Sequence, residues 1–206
     1  ILRYYVPGFK TLPLEQKELI YYLSQAALEG RDILWDQHNS LNLTIRRVCE
    51  AVYENYMGDK SSDNWKNFET YLKQIWMANG VHHHYSEDKI IPQFSQDYFV
   101  SIVKGVDPGR MPFRDGMAAD ETLKEILPLM FDPKVMPKRM NQDAKADIVA
   151  TSGVNFYEGV TQKEVEGFYN AMKNPNDNTP VSYGLNSKGV KRDGVVTEDV
   201  WKLGGM

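Results

Sequence analysis

The densest group of titratable side chains is a run of three histidines, His82, His83 and His84, followed by Tyr85. Imidazoles transfer protons near neutral pH and are common metal ligands, but zinc needs ligands that converge on one point. In a strand, His82 and His84 share a face that His83 does not, and adjacent residues of a helix diverge. The paired H-E-x-x-H arrangement is missing from the sequence. We therefore predict no metal site here, with one histidine packed or hydrogen-bonded in a turn and the others solvated.

Two carboxylates, Glu87 and Asp88, follow the histidines directly. They could hold a protonated imidazole or orient a neutral one, and a carboxylate together with His82 and His84 is the alternative metal-site hypothesis. Ser86 is a neighbour of these histidines in sequence only, because a nucleophile also needs an orienting group and the G-x-S-x-G turn is missing. We predict no catalytic residue, no cofactor-binding residue and no metal ligand in this chain.

The other reactive side chains are isolated. Lys134, Lys138 and Arg139 form a basic run without interleaved aromatic residues, which we interpret as a solvated face. The single cysteine, Cys49, lies in an apolar helical pattern and is interpreted as a small buried side chain. One cysteine excludes an internal disulfide and fits a reducing compartment.

The net charge of −4 is spread along the 206 residues, and no basic patch of the kind found in nucleic-acid-binding proteins occurs. No segment is long and apolar enough to predict a membrane span, and no signal peptide is present. These features favour a cytoplasmic protein that binds neither nucleic acid nor membrane. The sequence begins at Ile1 and ends on Gly204-Gly205-Met206, so we expect a longer parent, for which a periplasmic or secreted location stays open.

The histidine turn, His82 to Asp88, lies between a helix stopped by Asn79-Gly80 and an extended run stopped by Pro92. Three amphipathic stripes with short loops precede it and predict an antiparallel helical layer. These stripes are Leu19/Ile20/Leu23/Ala26/Ala27 between a Thr11 cap and Gly30, Leu41/Ile45/Val48/Val52/Tyr56 before Gly58, and Trp65/Phe68/Leu72/Ile75/Trp76 after a cap at Ser62 or Asp63.

Shorter elements follow the turn and are predicted from the same kinds of caps and stops. Pro128 is expected to bend or end one helix. The predictions are a helix from Ser95 to Gly105, a helix that opens near Asp120, an irregular segment from Phe131 to Met140, a short helix within Asp143 to Ala150, and a helix opened by the capping box Thr161 to Glu164.

The end of the chain changes to a β pattern. Val181 to Lys191 is compatible with a strand, Asp193-Gly194 is a strong hairpin signal, and Val195 to Trp201 alternates. An isolated hairpin is marginal in water, and Ile1 to Val6 is the only other candidate strand. We predict an α+β, predominantly α-helical fold of antiparallel helical layers, with residues 1–180 mainly helical and residues 181–206 forming a hairpin that needs further strands.

Three segments resemble the zinc-dependent dipeptidyl peptidase III family. They are LIYYLSQAALEGRDILWDQ (Leu19 to Gln37), ANGVHHHYSEDKIIPQFS (Ala78 to Ser95) and GVNFYEGVT (Gly153 to Thr161). The segment from Ala78 resembles the family's D-x-K-hydrophobic-hydrophobic-P element, with one residue fewer between Asp88 and Lys89. The segment GVHHHYS is most similar to bacterial, Bacteroides-like members. The resemblance follows nearly the whole chain in order, although no single motif in it is a catalytic signature.

The resemblance implies the N-terminal, non-catalytic part of the lower lobe, in which the hairpin joins a β-barrel. The parent enzyme removes dipeptides from the N-terminus of short peptides, using a zinc-activated water and a glutamate base. The family's H-E-x-x-G-H and E-E-x-R-A-D/E helices do not occur in this sequence, and the segment that grips the peptide's N-terminus has no counterpart, so zinc is expected only in the parent.

His82, His83, His84 and Tyr85 are expected to face the cleft. The implied partners are the peptide substrate and the catalytic lobe of the same chain. The alternative is a stand-alone helical binding module whose histidine-rich turn is a pH-dependent contact site.

Overall fold

The computed structural model describes residues 4–113 and 118–201, and in these the chain is α+β and mostly helical. The predicted fold class is therefore confirmed. The helices are α1 (Leu14–Glu29), α2 (Arg31–His38), α3 (Asn42–Asn55), α4 (Asp63–Ala78), α5 (Gln96–Lys104), α6 (Ala119–Phe131), α7 (Ile148–Thr151) and α8 (Gln162–Met172). The strands are β1 (Tyr157–Glu158), β2 (Ser187–Arg192) and β3 (Val195–Val200).

The chain divides into two units, residues 1–34 and residues 35–206, with the boundary inside α2. The core of the second unit is helical: α3 packs against α4 and α5, and α5 also packs against α6. The predicted stripes of α3 and α4 supply much of this core, and Cys49 is buried in it as expected. Its largest members include Trp65, Phe68, Tyr71, Leu72, Ile45, Ile75, Phe99, Ile102 and Ile126.

Local hydrogen bonds begin and end these helices where the sequence predicts. The Ser62 hydroxyl accepts from the Trp65 N–H at 3.3 Å, and the Ser95 hydroxyl accepts from the Tyr98 N–H at 3.1 Å. A capping box opens α8 at Thr161. These side chains satisfy N–H groups that have no partner within the helix.

Two helix predictions need correction. Helix α6 does not end at Pro128 but continues to Phe131, and burial of Leu129 and Met130 in the core offsets the helical hydrogen bond that the proline cannot donate. The helix predicted within Asp143 to Ala150 is confined to the single turn α7, which Asp147 caps by accepting from the Val149 and Ala150 N–H groups.

The first unit, described from residue 4, is built on α1. None of the residues of α1 is buried, so the stripe that contains Leu19 and Leu23 is exposed to solvent. The predicted Thr11 cap is wrong, since that hydroxyl donates to the Gly8 carbonyl at 2.7 Å in a 3₁₀ turn and Pro13 occupies the N-cap. The candidate strand from Ile1 to Val6 is not formed over its described residues 4–6, and the rest of it lies outside the described residues.

The hairpin of β2 and β3 is confirmed, with Asp193 and Gly194 both at positive φ, as a type I′ turn requires. The expectation that Ile1 to Val6 is the only other candidate strand is wrong, because β1 pairs in parallel with β2 and gives the order β1-β2-β3. The sequence pattern does not predict β1 because this strand is only two residues long. Its approach requires Gly189, where an added Cβ would lie 2.9 Å from the Tyr157 ring.

No helix in the described residues combines the length and the apolar character needed to cross a bilayer.

Candidate functional site at the histidine turn

The start of the histidine turn is fixed by a buried amide. Helix α4 ends with Asn79 in the left-handed conformation, and Gly80 follows at φ 148°. The Asn42 side chain donates to the Trp35 carbonyl at 3.1 Å and accepts from the Val81 N–H at 3.2 Å. A Cβ at position 80 would lie 2.3 Å from Asn42 Nδ2, so this close approach requires glycine.

The turn is closed by backbone hydrogen bonds between its two ends. The His83 N–H donates to the Asp88 carbonyl at 2.7 Å, and the Ile90 N–H donates to the Val81 carbonyl at 2.8 Å. The Glu87 N–H donates back to the His83 carbonyl at 3.1 Å, with Glu87 at a positive φ of 64°. The four residues 84–87 therefore project from a narrow two-stranded stem.

The structure places His82 inside the protein, with 1% of its surface exposed. Its Nε2 is 2.8 Å from the Met136 carbonyl and must donate to it, while Nδ1 has no hydrogen-bond partner among the described residues. Burial is the main cause that lowers the pKa of His82. The ring packs so closely on Gly153 that a Cβ there would lie 2.9 Å from its Cε1. His82 is thus a packed, hydrogen-bonded histidine, and the turn separates it from the next two.

His83, His84 and Tyr85 lie at the surface, where their rings form a compact cluster in which His83 stacks on His84 and Tyr85 is tilted against His84. The ring centroids of His83 and His84 are 4.7 Å apart, and those of His84 and Tyr85 are 4.5 Å apart. Tyr85 is 84% exposed. These three residues are available to a ligand, whereas His82 is not.

The His83 ring has a fixed proton position. Its Nδ1 accepts from the Tyr85 N–H at 3.3 Å and from the Ser86 N–H at 3.2 Å, so the proton of the neutral ring must be on Nε2. Metal binding through Nε2 would move that proton to Nδ1, where it would face two N–H donors. This geometry disfavours His83 as a metal ligand. Among the described residues, no three His, Cys, Asp or Glu side chains are close enough together to hold a metal ion.

The carboxylates beside the histidines pair with the basic run instead. Arg139 donates to Glu87 through Nε at 2.7 Å and through Nη2 at 2.6 Å, and Lys138 donates to Asp88 at 2.5 Å. These cations lower the pKa values of both carboxyls. The interpretation of this basic run as a solvated face is wrong for Arg139, whose side chain is 16% exposed, because the pairing with Glu87 spans 52 residues of sequence and leaves no local signal.

Lys89, which follows Asp88 in the element that ends at Pro92, also connects the turn to the rest of the protein. The Lys89 ammonium donates to the Asp132 carbonyl at 2.8 Å and to the Val135 carbonyl. Burial lowers the pKa of Lys89 to about 8, while the nearby charge of Asp132 favours the protonated form. The Lys89 N–H also donates to the Pro137 carbonyl at 3.1 Å, so segment 132–139 supports the turn along its length.

The fourth histidine, His38, also contacts this network. It lies at the end of α2, with Nδ1 3.0 Å from the Asn79 carbonyl and Nε2 2.9 Å from Arg139 Nη1. Burial and then the Arg139 charge lower the pKa of His38. Arg139 lies 101 residues further along the chain, and no local pattern signals such a pair.

A groove of about 390 Å³ borders this ring cluster. One wall is the C-terminal half of α4, and the other includes His83 and His84. The remaining lining residues are Thr70, Lys73, Gln74, Met77, Ala78 and Ile90. The groove places apolar and hydrogen-bonding groups beside the exposed imidazoles, which is the composition of a surface that contacts another molecule.

A scan against models of protein families and a search of curated proteins both find no match to this chain.

Proposed function

We propose that this chain is the N-terminal, non-catalytic portion of a zinc-dependent dipeptidyl peptidase. In that role it forms one wall of the substrate cleft and supports the lobe around it. The support for the family is the resemblance of three segments in the same order, including Ala78 to Ser95. The proposed parent removes dipeptides from the N-terminus of short peptides, and its zinc and general base belong to the catalytic lobe.

The observation that best supports a larger parent is the exposure of α1. Five consecutive residues, Leu19 to Leu23, are apolar or aromatic, and each is between 41% and 68% exposed. Consecutive residues are about 100° apart on a helix, so these five cover its whole circumference. The segment Leu19 to Leu23 is therefore apolar on all sides, whereas Glu15 to Glu18 before it and Ser24 and Gln25 after it are polar. Helical surface that is apolar all round is typical of burial, and we propose that further protein of the parent covers this segment.

The sheet supports the same proposal. β3 is at the edge of the order β1-β2-β3, and no strand of the described residues pairs with its outer side. Val195 at its start is 62% exposed, and Trp201 just beyond its end is 50% exposed. An unpaired edge with apolar side chains is a site for addition of another strand. We propose that strands of the parent continue the sheet here toward a barrel.

In this proposal the four residues of the turn have two different tasks. His83, His84 and Tyr85 face the cleft, where their clustered rings contact the peptide or the opposite lobe. His82 supports them from inside through its bond to Met136. No described residue is assigned to catalysis or to zinc, and the chain's contribution is the shape and rigidity of the cleft wall.

The test compares this chain with the longer reading frame that encodes it. The 206 residues alone should bind no zinc and release no arylamine from a dipeptidyl-arylamide, whereas the longer protein should do both and should contain an H-E-x-x-G-H helix. Turnover by the 206 residues alone would contradict the proposal. So would a longer frame without the zinc motif.

A second candidate function is a stand-alone binding module that uses the histidine turn as its contact site. The exposed ring cluster of His83, His84 and Tyr85 beside a groove favours it. A native reading frame that ends near Met206, together with a monomeric and stably folded product, would support this function over the peptidase fragment.

A further inference from the structure

The contacts of His38 allow only one position for its proton. Nε2 faces an Arg139 N–H, so it must accept, and Nδ1 faces the Asn79 carbonyl, so it must donate. The other tautomer would place two N–H groups against each other at Nε2 and a lone pair against the carbonyl at Nδ1. His38 is therefore neutral and protonated on Nδ1.

His82 and His83 require the opposite tautomer. His82 donates from Nε2 to the Met136 carbonyl, and His83 accepts two N–H groups at Nδ1. The protein thus contains one histidine fixed in the Nδ1–H form and two fixed in the Nε2–H form. This contrast is a direct signature of the His38 contacts.

Arg139 connects His38 to the histidine turn. Its guanidinium donates to both Glu87 oxygens, and its N–H donates to the Glu87 carbonyl at 2.8 Å. Its own carbonyl accepts from the Val154 N–H at 3.2 Å. The side chains of Arg139 and Glu87 are only 16% and 21% exposed, so this pair is shielded from water and from salt more than a surface pair. His38, Arg139 and Glu87 together form what we call the His38 latch.

We propose that the His38 latch is a proton-operated switch that controls the rigidity of the histidine turn. While His38 is neutral, its Nε2 accepts a hydrogen bond from Arg139 and keeps the guanidinium in position to donate to the Glu87 carboxylate. A proton taken up from solvent at Nε2 removes that acceptor and places an imidazolium beside the guanidinium. His38 and Arg139 then separate, and the turn that presents His83, His84 and Tyr85 becomes more mobile.

The groups around His38 determine the direction of the switch. Burial and Arg139 disfavour the charged ring, whereas Glu87 and the carbonyls of Asn79 and Ala78 favour it. The first two prevail and the pKa of His38 is lowered, because Arg139 is in direct contact and Glu87 is already paired with Arg139. The latch is therefore closed at neutral pH and opens at a pH below the ordinary titration range of a histidine.

Imidazole NMR on the intact chain tests the proposal without any mutation. Long-range ¹H–¹⁵N spectra at pH 7.5 should show His38 protonated on Nδ1, and His82 and His83 protonated on Nε2. On acidification, the amides of His83, Glu87 and Arg139 should lose protection from hydrogen exchange with the midpoint at which His38 titrates. Finding His38 protonated on Nε2 at pH 7.5 would overturn the proposal.

Two variants separate the switch from other titrations. His38→Gln removes the titrating group of the latch, so the acid-induced loss of protection at Glu87 and Arg139 should be reduced to the part that follows His82. His84→Gln removes an exposed histidine from the turn itself and should leave the response unchanged. If His38→Gln keeps the wild-type pH response, the switch is not His38 and the proposal fails. If His38→Gln does not fold, the tautomer and the shared midpoint of the wild type still decide the question.

Discussion

The ammonium of Lys89 lies 2.8 Å from the carbonyl oxygen of Asp132, which caps the C-terminus of α6. A cation at this end of a helix satisfies a free carbonyl and interacts favourably with the helix dipole. The same ammonium also reaches the Val135 carbonyl. One side chain therefore connects the histidine turn to α6 and to the segment after it.

Replacement of this lysine should destabilise the protein. Lys89→Met keeps the apolar stem and leaves two carbonyls without their donor, so we expect a loss of about 1.5–3 kcal/mol in the free energy of unfolding, as for hydrogen bonds to charged groups. Urea denaturation measures it. Lys73→Met, on the exposed side of α4, is the matched control and should change stability little. Equal effects of the two substitutions would show that the Lys89 contacts contribute nothing.

Gly80 should tolerate no side chain. Gly80→Ala would place a Cβ 2.3 Å from the Asn42 amide at a φ of 148°, which L-residues rarely adopt. Strain together with displacement of a buried amide should cost roughly 2–4 kcal/mol.

The control for Gly80 is Gly167, which lies within α8 and has open space around it. Gly167→Ala should stabilise the protein by about 0.5–1 kcal/mol, because alanine loses less backbone entropy in a helix than glycine does. Thermal unfolding of the two variants should therefore shift the midpoint in opposite directions. A shift of both variants in the same direction would contradict the described geometry.

Mild acid should destabilise the protein through two histidines. The pKa values of His38 and His82 are both lowered in the folded state, whereas an unfolded histidine titrates near 6.5. The unfolded chain thus binds more protons below about pH 6.5, and the free energy of unfolding falls as the pH falls. The lowered pKa values of Glu87 and Asp88 act in a separate window below about pH 4.5.

Denaturation measured between pH 5 and 7.5 isolates the two histidines. The free energy of unfolding should decrease steadily toward pH 5 in the wild type, and less steeply in His38→Gln and in His82→Gln. His84→Gln, at an exposed position, should retain the full slope. A flat wild-type profile over this range would be incompatible with the burial of His38 and His82.

Short-range chemistry explains which features the sequence predicts well. The caps Ser62, Ser95 and Thr161 bond to N–H groups three residues away, so composition and spacing are sufficient to place them. The type I′ turn at Asp193-Gly194 is equally local. These features depend on the neighbouring residues and little on the rest of the fold.

The features that sequence reasoning missed are long-range. His38 meets Arg139 across 101 residues, and Lys188 in β2 meets Glu158 in β1 across 30. The local sequence does not reveal either pair. A histidine near the end of a helix gives no sign of a distant arginine, and a strand of two residues gives no sign of the strand with which it pairs. The sequence predicted that one histidine of the turn would be packed and the others solvated. It did not predict that the packed one is His82, because that depends on contacts with the distant residues Met136 and Gly153.

The exposed helix α1 provides the last prediction. In the 206-residue chain, Leu19→Gln and Leu23→Gln should leave the free energy of unfolding within about 0.5 kcal/mol of wild type, as for surface positions, because neither side chain is buried. Both should reduce self-association at high concentration, measured by sedimentation, because they interrupt a large apolar surface. Ile45→Ala in α3 is the contrasting core variant and should reduce the free energy of unfolding by about 2–5 kcal/mol.

In the longer parent, the same leucine substitutions should become destabilising, because the proposal places α1 inside further protein there. If they stay neutral in the parent, α1 is a true surface helix and another explanation for its apolar circumference is required.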